Sequence, residues 1–560
     1  MFINRKERKG KVYYSLAVCK RVNGKPKNFT VLNIGTIESL YEKLSHVNNE
    51  TLPLSIKMIS NLECGATLAL YSITQKLNTA MIVNSHVPKR DQLIDYGSAL
   101  EILIIKGCIE AGSLDSTGLW FSNSILSHKF NILPDKLNSN NYCNWFIPFK
   151  KELMKKSFED ISCNAVKRFK LSTKKIIIDF SNITTYQKNK SEEQLAQRGK
   201  PKDFKKHLRQ VNYALAVTLD GIPLTYDTYA GNINDPAEFK EFVVQVIKMI
   251  ESKFDSPIQY IFTFDKGMLG EDCIGLIDGK NINDKKILFV SALRPSMCDK
   301  LFADISLEFK AAYQTQKKKT IEVAETKYMI YGKEYPTFVT YCEDKFKEDF
   351  GEFIERYSAT VFELDDIRET KLNGPHWSDK KKVSARLKKL VSNKFVKGII
   401  DVKVMKKKQK LEMRVKIDEL KLQEKINRFG KTVIFTNDED ASKKEIVTRY
   451  FREKNTVELC NKYLKNPDFC NIDPLRCSKD QNINIRIGVC CLSLMTGLLL
   501  EKKLKKLDKQ ITIMPAIQQL KQIRQVQTQV NPIKKDFKEI TGNTKVGHKY
   551  FEFLKLDRYL

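Results

Sequence analysis

Residues 174–180, KKIIIDF, and residues 211–231, VNYALAVTLDGIPLTYDTYAG, mark the place where the chain changes from a helical to a β-strand pattern. The first stretch predicts a short buried strand, because its central residues are apolar and β-branched. The second stretch predicts two strands joined by a tight turn at Asp220 and Gly221, a dipeptide that favours hairpins. A buried strand followed by an antiparallel hairpin is therefore expected here.

A helix and two more strands extend this unit. Residues 234–254 carry apolar side chains at three-and-four spacing, which predicts an amphipathic helix. Strands are predicted over residues 259–265, QYIFTFD, and 286–294, KILFVSALR, with a short helical stretch at 271–277 between them. This alternation predicts an α/β fold in which helices pack on the faces of a mixed sheet.

The composition indicates a globular chain with a polyanionic partner. Of 560 residues, 97 are Lys or Arg and 67 are Asp or Glu, which leaves a net charge of +30, and 42% are hydrophobic. An excess of this size favours nucleic acid, because each phosphate that a cation neutralises releases condensed counterions. Lysine-rich solvated surfaces without such a partner are the alternative that composition leaves open.

Cysteine usage and hydropathy indicate the cellular compartment in which the protein is expected. The 13 cysteines are odd in number and form no Cys-x-x-Cys pair, so we expect neither a disulfide framework nor a zinc site. The N-terminus is charged where a signal peptide would be apolar. The longest apolar run, Ile487 to Leu500, is too short to span a bilayer and predicts a buried helix. A soluble cytoplasmic protein without a membrane partner is expected.

Two aspartates occur in the same context. Asp179 closes the apolar run KIIID, and Asp265 closes YIFTFD. A carboxylate at the carboxyl end of a buried strand lies at the edge of a sheet where open sheets bind their ligands. An aspartate after a strand is also a common turn or cap residue, so each alone is a weak signal.

A third carboxylate lies on the helix predicted over residues 442–466. Phe451, Lys454, Glu458 and Lys465 are spaced by three, four and seven, so they lie along one stripe. This stripe offers a metal ligand between two cations that can meet a phosphate, although the same spacing also fits an ordinary exposed ion pair. With the two strand-end aspartates it meets the need of a two-metal site, because hard divalent cations take oxygen ligands.

At these residues the chain resembles bacterial insertion-sequence transposases that have a ribonuclease-H-like DDE domain and a long β-rich insertion before the final Glu. That family carries Tyr-x-x-Arg-x-x-x-Glu-x-x-x-x-x-x-Lys on its last catalytic helix. Here the register has Phe451 for Tyr, with Tyr450 one residue earlier, and Lys454 for Arg, which lacks the bidentate fork of Arg. Further similar segments are residues 176–187, 198–239, 262–270 and 429–447.

The resemblance implies a function and a set of functional residues. Catalysis and the binding of two Mg²⁺ or Mn²⁺ ions would belong to Asp179, Asp265 and Glu458. The family nicks DNA at transposon ends and uses the freed 3′-OH to attack target DNA. Basic residues that would contact the DNA are Lys454, Lys465, Lys202 and Arg209.

The implied partners are double-stranded DNA, as terminal inverted repeats and target, and further copies of the chain in a dimer or larger synaptic complex. The protein would act in the bacterial cytoplasm, at the nucleoid. Two alternatives stay open: a ribonuclease-H-like metal nuclease without strand transfer, and an inactive or repurposed DNA-binding protein.

We expect six segments along the chain. They are a basic β-hairpin arm (1–50), a helical domain that binds DNA ends (51–170), the first part of the catalytic core (171–294), an insertion (295–430), the second part of the core with the Glu helix (431–505) and a basic C-terminal tail (506–560).

Overall fold

The structure is a computed structural model, and it describes residues 1–22, 25–39, 55–88, 91–187, 193–199, 208–254, 260–278, 281–282, 285–314, 319–531 and 535–560. The chain forms two units. The smaller unit contains Met1–Leu62 and Arg524–Thr541, and the larger contains Glu63–Ile523 and Gly542–Leu560.

The secondary structure alternates between strands and helices through most of the chain. The strands are β1 (Phe2–Arg8), β2 (Lys11–Val22), β3 (Lys25–Gly35), β4 (Ser55–Glu63), β5 (Lys175–Thr185), β6 (Arg209–Thr218), β7 (Pro223–Ala230), β8 (Ile261–Phe264), β9 (Asn281–Ile282), β10 (Lys285–Lys286), β11 (Leu288–Ala292), β12 (Lys310–Gln314), β13 (Thr320–Ile330), β14 (Lys333–Tyr341), β15 (Ile400–Lys407), β16 (Lys410–Ile417), β17 (Lys431–Thr436), β18 (Arg524–Asn531) and β19 (Lys535–Thr541). The helices are α1 (Gly65–Leu77), α2 (Thr79–His86), α3 (Tyr96–Ile109), α4 (Thr117–Ser122), α5 (Ser139–Trp145), α6 (Lys151–Phe169), α7 (Asp235–Lys253), α8 (Glu271–Asp278), α9 (Asp299–Ala303), α10 (Glu343–Asp366), α11 (Lys380–Val391), α12 (Glu419–Asn427), α13 (Lys443–Lys465), α14 (Asp480–Leu504), α15 (Ile513–Lys521) and α16 (Lys545–Phe553).

A mixed sheet forms the centre of the larger unit. Five of its strands run in the order β7-β6-β5-β8-β11, with β5, β8 and β11 parallel and β6 antiparallel to both of its neighbours, β5 and β7. Helices α7 and α8 pack against one face of this part of the sheet, and α13 packs against the opposite face. This is the ribonuclease-H-like sheet that the sequence predicts, including the hairpin turn at Asp220 and Gly221.

The insertion differs from its predicted boundaries. Strands β12, β13 and β14, which we expected within an inserted segment over 295–430, join β17 and extend the central sheet to nine strands. Strand β17 covers the open edge of β11, and β14 in turn covers the open edge of β17, so the sheet continues outward. Residues 343–427 depart from the sheet, and their helices and the β15–β16 hairpin enclose a separate apolar cluster that includes Phe353, Leu364 and Val383.

The predicted helical segment 51–170 begins with a strand. Residues 55–63 form β4, which pairs in a three-stranded sheet of order β19-β18-β4 within the smaller unit. Ile56, Met58 and Ile59 remain exposed on this strand, so their spacing does not reflect a helical core. Helices begin at Gly65 and continue through α6, as expected for the rest of this segment.

The predicted basic tail, 506–560, is folded. It contains α15, the β18–β19 hairpin and α16, and the apolar residues Ile513, Ile517 and Leu520 of α15 are buried at helical spacing. At the N-terminus, β2 and β3 form the predicted hairpin, to which β1 adds a third antiparallel strand. The turn residues Asn23 and Gly24 lie outside the described residues.

The apolar run at Ile487 to Leu500 lies within the longer helix α14. Among the described residues, α14 alone is long and apolar enough to cross a membrane by length and composition, and 94% of its most apolar window is buried inside the protein. It packs against α3, α6 and β7. Such burial is typical of a core helix.

The aromatic core of the sheet can be tested at Phe289 on β11. Its ring contacts Phe264, Tyr335 and Phe435 on three other strands. Phe289→Ala should cost about 3–5 kcal/mol through lost burial and the cavity left behind. The urea midpoint of unfolding, read by tryptophan fluorescence, measures this loss. Phe362→Ala, at a site 77% exposed, should change stability by under about 0.5 kcal/mol; equal midpoints for the two variants would contradict the packing.

Candidate active site

Asp179 and Asp265 lie side by side because of the register of two parallel strands. Ile178 on β5 pairs with Phe264 on β8, so the next residue of each chain segment is an aspartate at the same level. Side chains alternate along a strand, and Phe262 and Phe264 enter the core below the sheet. Asp265 therefore points towards the opposite face, where α13 lies, and Asp179 does the same.

Asp179 does not end its strand, contrary to the sequence prediction. Strand β5 continues to Thr185, still paired with β6, whereas β8 ends at Phe264. The extension is held from the other side by the 473–475 loop: the Thr184 N–H and hydroxyl donate to Asp473 Oδ1 at 2.9 and 2.6 Å. Asp179 therefore lies at the level where the neighbouring strand β8 ends. Beyond this level no residue of β8 pairs with β5, so the sheet is open on that side of Asp179.

Helix α13 carries the third carboxylate across this opening. Ser442 caps the helix by accepting from the Glu445 N–H. Ile446, Val447 and Tyr450 bury one side of the helix against the sheet. Glu458 follows the buried Val457 and is itself 56% exposed, so it lies at the border between the packed face and solvent.

One ammonium group joins two of the three carboxylates. Lys454 Nζ lies 3.3 Å from Asp265 Oδ1 and 3.7 Å from Glu458 Oε1. The two carboxyl oxygens are thus separated by no more than the sum of these distances. The Tyr450 hydroxyl also donates to Asp265 Oδ1, at 3.2 Å.

The same helix contacts Asp179 one turn further on. Asn461 Nδ2 donates to Asp179 Oδ2 at 2.7 Å, and Asn461 Oδ1 accepts from the Tyr213 hydroxyl at 2.6 Å. Asp179, Asp265 and Glu458 are therefore all in contact with residues of α13. The two aspartates occupy adjacent strands, and Glu458 lies on the helix stripe between Lys454 and Asn461.

Sequence reasoning missed three of these residues. Tyr450, not Phe451, reaches Asp265, while Phe451 packs edge-on against the Tyr450 ring at 5.6 Å. Asn461 follows Glu458 by three positions, a helical spacing that was available in the sequence. Tyr213 lies on β6, and nothing local in the sequence connects it to α13.

The electrostatics favour the ionised form of Asp265. Burial by itself raises the pKa of Asp265, but the charge of Lys454 and the Lys266 N–H outweigh it and hold the pKa below its usual value. Burial, together with the charges of Asp265 and Glu458, raises the pKa of Tyr450 well above its usual range. The Tyr450 hydroxyl therefore keeps its proton and serves Asp265 as a donor.

The three candidate carboxylates share one type of donor atom. The three side chains offer carboxylate oxygens without nitrogen or sulfur, which suits a hard divalent cation. Within the described parts of the chain, no three Asp, Glu, His or Cys side chains stand close enough to hold a metal ion. Lys454 and Asn461 lie among the carboxylates instead. The Lys454 side chain is long enough to turn away from a cation. The Asn461 amide is polar and neutral, so it can stay beside one.

The basic residues expected to contact DNA are dispersed. Lys454 lies within the carboxylate cluster, and Lys465 ends α13 two turns beyond Glu458. Arg209 opens β6 opposite Thr185, six residues or roughly 20 Å along β5 from Asp179. Its Nη1 donates to the Ala196 carbonyl at 3.0 Å, so it braces the preceding segment. Lys202 lies outside the described residues.

Comparison with known protein families assigns the part of the chain that contains this arrangement. Residues 170–496 match the family described as transposase DDE domain, over more than half of the chain. The matched span begins just before β5 and ends within α14, so it contains both aspartates and the Glu458 helix. Comparison with curated proteins gives no match.

A fourth carboxylate, that of Glu453, lies on the same helix as Glu458, and its burial can be tested through the pH dependence of stability. Glu453 is buried, receives a hydrogen bond from the Thr263 hydroxyl, and lies 3.7 Å from Lys175 Nζ. Burial raises its pKa above 4.5, against the weaker opposing effects of Thr263 and Lys175. The folded protein then holds this proton more tightly than the unfolded chain, so stability is lost as pH rises above that value.

Glu453→Gln keeps the shape and removes the charge, so the variant should melt above wild type at about pH 8. The difference should vanish as the pH falls towards about 4, where Glu453 is protonated in both states. Thermal melting across this range is the measurement. A variant that melts below wild type at about pH 8, by a margin that shrinks as the pH falls, would mean that Lys175 and Glu453 form a stabilising ion pair.

Proposed function

Since the chain belongs to the family of DDE-domain transposases, we propose that it cuts DNA at the ends of an insertion sequence and transfers the ends to target DNA. Asp179, Asp265 and Glu458 are the proposed catalytic carboxylates. The observation that carries this proposal is the chain of contacts along one helix, in which Lys454 touches Asp265 and Glu458 while Asn461 touches Asp179.

The three carboxylates would hold two Mg²⁺ or Mn²⁺ ions. When bound, such ions lower the pKa of an attacking hydroxyl or water and stabilise the departing oxygen of a phosphodiester. The chain's own contribution is position. Parallel strands fix the two aspartates, and α13, packed on the same face of the sheet, carries Glu458.

Lys454 is the proposed first contact to the scissile region. Its ammonium is balanced by Asp265 and Glu458 in the DNA-free chain. A DNA phosphate supplies an alternative anionic partner for the same flexible side chain. The lysine can therefore turn towards DNA as the carboxylates take up cations, so that its ammonium exchanges one anionic partner for another.

The reaction proceeds in two phosphoryl-transfer steps. In the first, water attacks a phosphodiester at the element's end, the P–O3′ bond breaks, and the proton ends on the freed 3′-OH. In the second, that 3′-OH attacks a target phosphodiester, and the displaced target strand leaves with its own 3′-OH. Both steps need the same arrangement of anionic oxygens around one phosphorus, so a single site serves them.

Double-stranded DNA is the proposed partner, as terminal repeats and as target. The net charge of +30 supports it, because many phosphate contacts are needed to hold two DNA segments at one site. Joining both ends of an element requires two active sites, which favours a dimer or larger complex on DNA. The proposed location is the bacterial nucleoid in the cytoplasm.

Charge-removing variants test the three carboxylates. Asp179→Asn, Asp265→Asn and Glu458→Gln keep side-chain shape and remove the charge that a divalent cation needs. Each should abolish Mg²⁺-dependent cleavage of a DNA carrying the element's ends, while DNA binding in a gel-shift assay stays within a few-fold of wild type. Glu439→Gln, at an exposed acid before the same helix, is the matched control and should cleave normally.

Two results would count against the assignment. Nicking that persists in any one variant removes that residue from the site. Cleavage by the wild type without joining of the freed 3′ end to target DNA would identify a nuclease instead, and binding without any cleavage would identify a DNA-binding protein.

Lys465 distinguishes a phosphate contact from a surface lysine. It lies about 10 Å beyond Glu458 along the helix axis at 1.5 Å per residue. Lys465→Ala should lower end cleavage about ten- to a hundredfold, as expected when a charge-assisted hydrogen bond to phosphate is lost. Arg452, which is exposed and lies about 120° around α13 from Glu458, is the control. Cleavage rates of the two alanine variants are compared, and equal rates would remove Lys465 from the DNA contacts.

A further inference from the structure

We propose that Asn461 is a positioning residue: it fixes the carboxylate of Asp179 for cation binding, and the buried Tyr213 hydroxyl fixes Asn461 in turn. This inference rests on the proposed function, because it concerns the same site. It adds two residues, on α13 and β6, to the three carboxylates.

The two hydrogen bonds determine how the amide is oriented. Tyr213 is fully buried, and burial raises the pKa of its hydroxyl well above the usual value, so the phenol is a donor at neutral pH. Its proton is directed to Asn461 Oδ1 at 2.6 Å. The amide nitrogen must then face Asp179, where Nδ2 lies 2.7 Å from Oδ2. A free asparagine could present either end of its amide, and this one cannot.

The contact connects two elements of the site. Asp179 lies within β5 at the level where β8 ends. The Asn461 hydrogen bond links its carboxylate to the helix that carries Glu458. A carboxylate has about four lone-pair sites, so one hydrogen bond to Oδ2 leaves capacity for cations.

A neutral amide suits this place better than a cation does. Asp265 is approached by the ammonium of Lys454, which repels an incoming metal ion and has to turn away. Asn461 carries no charge, so it can keep its hydrogen bond to Asp179 while a cation binds beside it. Helix α13 thus supplies Lys454, which has to leave Asp265 when a cation binds, and Asn461, which can stay at Asp179.

The consequence is a loss of metal affinity when the support is removed. Partners that orient a metal-ligating side chain typically contribute ten- to a hundredfold in metal affinity. Asn461→Ala removes the donor. Asn461→Asp keeps the shape but places a second anion against Asp179, so it should fail as a support although it fills the same space. Tyr213→Phe removes only the hydroxyl and frees the amide to turn.

Mn²⁺ binding to the full chain, followed by electron paramagnetic resonance of the free ion, tests the inference without relying on catalysis. Asn461→Ala should weaken Mn²⁺ binding about ten- to a hundredfold, and Tyr213→Phe should weaken it by a smaller factor. Both should melt within a few degrees of wild type. Asn455→Ala, at an exposed site on the same helix, is the control and should bind Mn²⁺ as wild type does. In cleavage assays, Asn461→Ala should need more Mn²⁺ for half-maximal rate and recover much of that rate at saturation.

The outcomes separate this inference from the proposed function. If wild type binds Mn²⁺, Asp179→Asn abolishes binding, and Asn461→Ala binds as wild type does, the positioning role is wrong and the proposed function stands. If the melting temperature of Asn461→Ala falls greatly while the Mn²⁺ affinity of the folded protein is unchanged, Asn461 is a packing residue only. If wild type itself binds no Mn²⁺ with or without DNA, the proposed site is wrong as well.

Discussion

The parallel pairing of β5 with β8 is the constraint on which the site depends. Because Ile178 pairs with Phe264, the residues that follow are both placed at the opening of the sheet, and strand alternation turns both away from the aromatic core. A shift of one residue in either strand would send its aspartate into that core. The aromatic residues that make this shift costly, Phe262 and Phe264, lie on the same short strand. The alternation of side chains along β5 and β8 therefore determines both the packing of the core and the position of the two aspartates.

Helix α13 adds the third carboxylate, Glu458, to that pair of aspartates. Its buried residues fix the rotation of the helix on the sheet, and this rotation brings Lys454, Glu458 and Asn461 to the opening. The ammonium of Lys454 offsets part of the negative charge of the three carboxylates, since it lies between two of them. Under the proposed function, binding of a polyanion and of divalent cations would be coupled: the cations would replace the ammonium at the carboxylates, and a phosphate would accept it. A transposase would gain from such coupling, because its cutting site would be completed only on DNA.

Much of this arrangement was predictable from local sequence. The strands that carry Asp179 and Asp265, and the stripe that carries Glu458, follow from periodicity alone. What escaped prediction depends on partners distant in the chain. Strand β4 is a strand because β18 pairs with it from the other end of the sequence, and β5 continues past Asp179 because the 473–475 loop binds Thr184. Tyr450 replaces Phe451 at Asp265 because one residue turns a helix by about 100°, and only packing decides which of two adjacent aromatic residues faces the sheet.

We propose that the three carboxylates form one cation site although Lys454 and Asn461 lie among them. Crystals of the protein bound to end DNA and grown with Mn²⁺ test this proposal through anomalous scattering. We expect Mn²⁺ peaks about 2.0–2.3 Å from oxygens of Asp179, Asp265 and Glu458, with Lys454 turned to a phosphate and Asn461 still hydrogen-bonded to Asp179. Mn²⁺ bound elsewhere, with Lys454 still between Asp265 and Glu458 in the DNA complex, would contradict it.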